Sequence, residues 1–129
     1  MGAIESEIEV IFSQSLPPGA STSGITRHKA FDRPGIVVSQ SRIAPGVTSD
    51  WHHHAKRSLY GFLVVGELRF DYGAEGKRHV QISAGDYFLI PPGLVHRDVN
   101  PTTDQEAMVV GVLVGEGPTT VNTSGPSSH

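Results

Sequence analysis

Apolar residues in this chain alternate with polar ones in short runs, and nowhere do they recur at three- and four-residue spacing over a dozen positions. That is the period of β-strands, whose successive side chains point to opposite faces, and not that of an amphipathic helix. The runs are rich in β-branched and aromatic residues: EIEVIF (7–12), GIVVSQSRI (35–43), SLYGFLVV (58–65), ELRFDYG (67–73), RHVQIS (78–83), YFLI (87–90), LVHRDV (94–99) and EAMVVGVLVG (106–115). Turn-forming residues separate them: the Pro/Gly/Ser/Thr-rich loop from Ser15 to Gly24, Pro45-Gly46, and the AGD and PPG segments, while Gly66 is expected to close a tight hairpin. About eight short strands at regular spacing predict an all-β sandwich or barrel rather than a βαβ fold. The near-continuous apolar run at 106–115 predicts burial on both faces, with Met108, Val110, Val112 and Val114 on one and Val109 and Leu113 on the other. The tail from Gly117 loses its apolar content and is expected to fray.

Composition narrows the picture. The 129 residues suffice for one domain, read as an N-terminal strand and loop (1–34), a barrel (35–116) and a C-terminal tail (117–129). A formal charge of −3 with scattered Lys and Arg argues against nucleic acid as a partner, and no apolar run approaches the roughly 20 residues of a membrane span. The chain has no cysteine, so any metal must be held by nitrogen and oxygen, and a cytoplasmic protein is expected. Three short matches carry little weight: MGAIES to a myristoylation signal, Asn122 in NTS to a glycosylation acceptor, and GAEGK to a phosphate loop whose full spacing it lacks.

The candidate chemistry lies in the stretch DWHHHA (50–55). On an extended strand His52 and His54 share a face while His53 points away, and two imidazoles at that spacing can reach one metal ion. A third ligand must come from elsewhere. Among His28, His79, His96 and His129, only His96 follows a run of structural punctuation, in GDYFLIPPGLVHRDVN. The spacing is then Gly46, five residues, His52-x-His54, and later Gly85, five residues, Pro91-x-Gly93, two residues, His96, three residues, Asn100.

On these positions the chain resembles the cupin superfamily, whose second motif is met at Gly85, Pro91, Gly93, His96 and Asn100 and whose first is met at Gly46, His52, His54 and Gly66. One departure stands out: the family usually places a glutamate ligand four or five residues after the second histidine, where this chain has Ser58 and Leu59. The resemblance implies an all-β double-stranded β-helix, a jelly-roll barrel, holding one divalent metal ion (iron, manganese, zinc or nickel) on His52, His54 and His96. Three neutral ligands would leave open positions for oxygen or a chelating small molecule, as in cupin dioxygenases. The alternatives are a Lewis-acid isomerase, lyase or cyclase, or a non-catalytic sensor barrel. Ser58, read as the glutamate-equivalent position, would by alternation bring Tyr60 and Phe62 to the cavity with it. Arg42, sharing a face with Gln40, would be a carboxylate anchor if it pointed inward, and Trp51 would stack on a substrate or seal the barrel rim. Glu67 is expected to face solvent, Asn100 to tie down a turn, and EIEVIF to cross to a second copy in a homodimer.

Overall fold

The structure, a computed structural model, describes residues 7–126. Met1 to Ser6, which hold the whole MGAIES match, and His129 lie outside the described residues. Among the described residues ten strands, β1 (Thr26–Arg33), β2 (Ile36–Ile43), β3 (His52–His53), β4 (Ser58–Val65), β5 (Glu67–Tyr72), β6 (Arg78–Ser83), β7 (Tyr87–Ile90), β8 (His96–Val99), β9 (Ala107–Val114) and β10 (Val121–Asn122), form two antiparallel sheets ordered β1-β2-β9-β4-β7 and β10-β3-β8-β5-β6. The core between them is aliphatic and aromatic, with Ile43, Leu63 and Leu68 fully buried and Phe70, Ile90 and Val109 nearly so.

The expected hairpin at Gly66 is not one. β4 pairs with β7 and β9, β5 pairs with β6 and β8, and the chain passes between sheets at Gly66. Gly66 has φ +93°, and a Cβ there would stand 2.7 Å from the Glu106 carbonyl oxygen, so the crossing demands glycine. Two strands escaped the sequence pattern. β1 (TRHKAFDR) mixes charge with small residues, but it pairs with β2 along its length apart from a bulge between Lys29 and Phe31. β10 belongs to the tail expected to fray, and it pairs with His52 and His53. Conversely, residues 7–12 belong to no strand, and Ile8, Val10 and Phe12 are largely exposed; the Glu9 carboxylate is ion-paired to Arg33.

β9 is buried on one face only. Val109 and Leu113 point to the core, whereas Val110 and Val114 are exposed with Tyr60, Tyr87 and Leu89 of the neighbouring strands. The turns that deliver β8 behave as their residues dictate: Gly85 and Gly93 take φ +97° and +74°. Asn100, fully buried, donates from Nδ2 to the carbonyls of Ile43 and Gln105, and its Oδ1 accepts from the backbone N–H and hydroxyl of Thr102. That locks the loop after β8.

Candidate metal centre

Two neighbouring strands bring the histidines together. His52 on β3 stands directly opposite His96 on β8, and His54 follows where β3 turns away. The ring centroids are 4.3 Å apart for His52 and His96, 5.1 Å for His54 and His96 and 5.4 Å for His52 and His54. One donor atom from each lies within 4.8 Å of the others, and all three side chains are at most 3% exposed.

Which nitrogen faces inward follows from the hydrogen bonds. Nδ1 of His52, His54 and His96 lies 3.0, 2.9 and 2.9 Å from the carbonyl oxygens of Asp50, Thr119 and Leu94. A carbonyl can only accept, so each Nδ1 carries the proton and each Nε2 presents a lone pair. Burial holds all three imidazoles neutral, lowering His52 and His54 to about 3 and His96 to about 4. His54 Nε2 is buried with no hydrogen-bond partner. Lone pairs converging without a proton among them fit a cation, and imidazoles oriented by backbone carbonyls are the form in which histidine binds metal.

Residues 39–114 match the family model of the cupin domain. The chain belongs to the cupin family. Among curated cupin relatives it is 31% identical over 118 residues to oxalate oxidase GF-2.8 of Triticum aestivum, covering 79% of this chain and 52% of that protein. It is 36% identical over 83 residues to germin-like protein subfamily T member 3 of Arabidopsis thaliana, covering 64% of this chain and 33% of the relative. The chain thus spans about half or less of the length of these relatives. Among solved structures, the polyketide cyclase RemF from Streptomyces resistomycificus superposes with a TM-score of 0.72 over 91% of this chain and 86% of that one, at 17% identity. A recombinant oxalate oxidase in complex with glycolate superposes at 0.67 over 92% of this chain and 66% of that one, at 25% identity.

Other residues singled out by spacing in this cupin lie elsewhere. Ser58, Tyr60 and Phe62 do not line the histidine cavity. Leu59 does, so the alternation on β4 runs the other way: Tyr60 is half exposed and Phe62 packs against Tyr87 on the outer face. The usual glutamate position is therefore occupied by an aliphatic side chain. Arg42 is also outward, paired with Glu106 at 2.7 Å, while Ser39 and Ser41 of the same strand face in. Trp51 lies outside the cavity under the guanidinium of Arg97 and against Gly76 and Gly125. Glu67 accepts a surface hydrogen bond from Ser83. His53 points away from the cluster, and its Nδ1 accepts from the Ala55 N–H. His79 contacts the carboxylate of Asp71, which is buried beneath Arg69 and Arg97.

Two residues not singled out by spacing sit at the cavity. Asp98 is two residues after His96 on β8, so the alternation that pairs His52 with His54 also puts it on the face of His96. Arg27 is on β1, which reads as loop because its inward positions are polar. Its Nη1 donates to Thr22 Oγ1 at 2.7 Å and to the Ala20 carbonyl at 3.3 Å. The cavity has a volume of about 40 Å³, room for roughly three water-sized molecules, with Phe70, Phe88, Val109 and Leu113 among its walls.

Proposed function

We propose that this cupin is a metal-dependent oxidoreductase that holds one divalent ion on His52, His54 and His96 and acts with oxygen on a small chelating organic acid. The observation that carries this reading is the convergence of three neutral Nε2 lone pairs in a buried cavity. When bound, an ion there supplies Lewis acidity and, as iron or manganese, one-electron chemistry with oxygen.

The substrate class is supported by charge and size. Both hydrogen bonds that hold Arg27 use Nη1, which leaves Nε and Nη2 to meet a carboxylate at the cavity wall, while Lys29 on the same wall has its ammonium paired to Asp32. Leu59, Phe70, Phe88 and Leu113 exclude water around the reacting molecule. A cavity of this volume excludes anything larger than a compact acid. The oxalate oxidase relatives and the glycolate complex of a recombinant oxalate oxidase agree with such a substrate.

Elemental analysis of the untagged protein, followed by oxygen-electrode assays of the iron- and manganese-loaded forms, tests the proposal. The panel is oxalate, glycolate, 2-oxo acids, β-diketones and small thiols. Oxygen uptake with a chelating acid, lost in His54→Ala, is the expected result. Absence of bound metal refutes the ion site, and a loaded protein that consumes no oxygen with any compound refutes the oxidoreductase.

We further propose that two copies associate. Residues 7–12 carry exposed Ile8, Val10 and Phe12 outside any strand, and the outer face of the β1-β2-β9-β4-β7 sheet exposes Tyr60, Val110, Val114, Tyr87 and Leu89. Such surface is costly to leave in water. Light scattering should give twice the chain mass, and a monomer at micromolar concentration would refute this.

A further inference from the structure

We infer that Asp98 supplies the carboxylate missing from the usual glutamate position, making the centre a three-histidine, one-aspartate site with the carboxylate on β8 instead of β4. The inference rests on the reading that the histidine cluster holds an ion. Asp98 Oδ1 lies 3.6 Å from His52 Nε2 and 3.8 Å from His96 Nε2. Donors bound to one ion at about 2.1 Å stand about 3.0 Å apart when adjacent in an octahedron and about 3.4 Å apart in a tetrahedron. The separations from His52 and His96 exceed those of adjacent tetrahedral donors by only a few tenths of an ångström.

Chemistry points the same way. Oδ1 is buried and has no hydrogen-bond partner, and the whole residue is 8% exposed. A carboxylate taken out of water without a donor is costly to fold around, and one aimed at imidazole lone pairs faces acceptors rather than donors. A cation placed beside His52 and His96 gives Oδ1 the partner it lacks; Asp98 stands outside the set of donors that lie within 4.8 Å of one another, so it joins His54 on one ion only by a side-chain shift toward it. The position is firmly built: the Asp98 N–H donates to Ser49 Oγ at 2.9 Å, the Ser49 N–H donates to the Asp98 carbonyl at 2.9 Å, and Asp98 pairs across the sheet with Phe70. With Leu59 at the position that usually carries the carboxylate, Asp98 restores one negative charge to the ligand set from the opposite sheet.

The test compares wild type with Asp98→Asn and Asp98→Glu. It measures Zn²⁺ and Mn²⁺ affinity by competition with a chromophoric chelator, the visible spectrum of the Co²⁺ form, and Tm with and without metal. Asp98→Asn should weaken binding about tenfold to a hundredfold, shrink the metal-induced rise in Tm, and raise the Tm of the metal-free protein because an amide can turn its N–H groups to the imidazole lone pairs that a carboxylate oxygen cannot satisfy. Asp98→Glu keeps the charge but moves the oxygens, so its Co²⁺ spectrum should differ from that of wild type. Unchanged affinity in Asp98→Asn, or an unchanged spectrum in Asp98→Glu, overturns the assignment. A lower metal-free Tm with an undiminished metal-induced rise does so too, since it marks a purely structural residue. Wild type that binds none of the three ions overturns the histidine site itself, which separates the two failures.

Discussion

Acidifying the metal-free protein from pH 6.5 to 5 should remove a large share of its stability. An unfolded histidine titrates near 6.5, whereas burial holds His52 and His54 to about 3 and His96 to about 4. Above pH 6.5 all three are neutral in both states and their contribution is intact. As the pH falls below 6.5 the unfolded chain takes up protons that the folded one refuses, and the loss is complete only below the folded values. Each histidine contributes about 1.4 kcal/mol per pH unit, so three approach about 4 kcal/mol per unit. Asp98 acts in the opposite sense. Burial raises its carboxyl, so its contribution falls as the pH rises, opposite in sign to that of the histidines. Because the unfolded histidines are already half protonated at pH 6.5, the loss over 1.5 units is about 5 kcal/mol for the three together, against a typical domain stability of about 5 to 15 kcal/mol. Urea unfolding of chelator-treated protein, followed by circular dichroism at several pH values, measures it. Replacing His54 with leucine should flatten the slope by about one proton. A midpoint that does not move between pH 7 and 5 would refute the buried neutral cluster.

Arg27→Gln should raise KM for an acidic substrate about thirtyfold or more, the value of one charge-assisted contact at about 2 to 3 kcal/mol, with a smaller change in kcat; steady-state kinetics decide. Asp71→Ala should cost about 2 to 3 kcal/mol in denaturant unfolding, less than a fully buried pair because Arg69, Arg97 and His79 are partly exposed and can turn to water. Burial raises the Asp71 carboxyl, but hydrogen bonds from Arg69, Arg97 and His79 outweigh it and hold it at about 2, so its contribution is intact above pH 3.8 and lost towards pH 2. Gly66→Ala should destabilise by about 2 kcal/mol or more, because φ +93° is strained for alanine and its Cβ would strike the Glu106 carbonyl; thermal unfolding checks this.

Local pattern determined the strand class of the chain, the turns at Gly85 and Gly93, and the shared face of His52 and His54. Each follows from residues within a few positions of one another. His96 was legible too, because the PPG turn and its spacing are local signals. Four features were decided only by the tertiary structure. Whether Gly66 closes a hairpin or crosses between sheets depends on what lies behind it, here the Glu106–Ala107 backbone. Which face of β4 turns inward is set by pairing with β7 and β9, and that put Leu59 at the cavity and Tyr60 outside. β1 has few apolar residues to announce it, since its inward face presents Arg27 and Lys29 to the cavity rather than to the core. Asp98 sat in plain view two residues from His96, but the same alternation gives that face to any strand residue. Only the closure of β8 against β3 shows a buried carboxylate oxygen beside imidazole lone pairs and without a donor of its own.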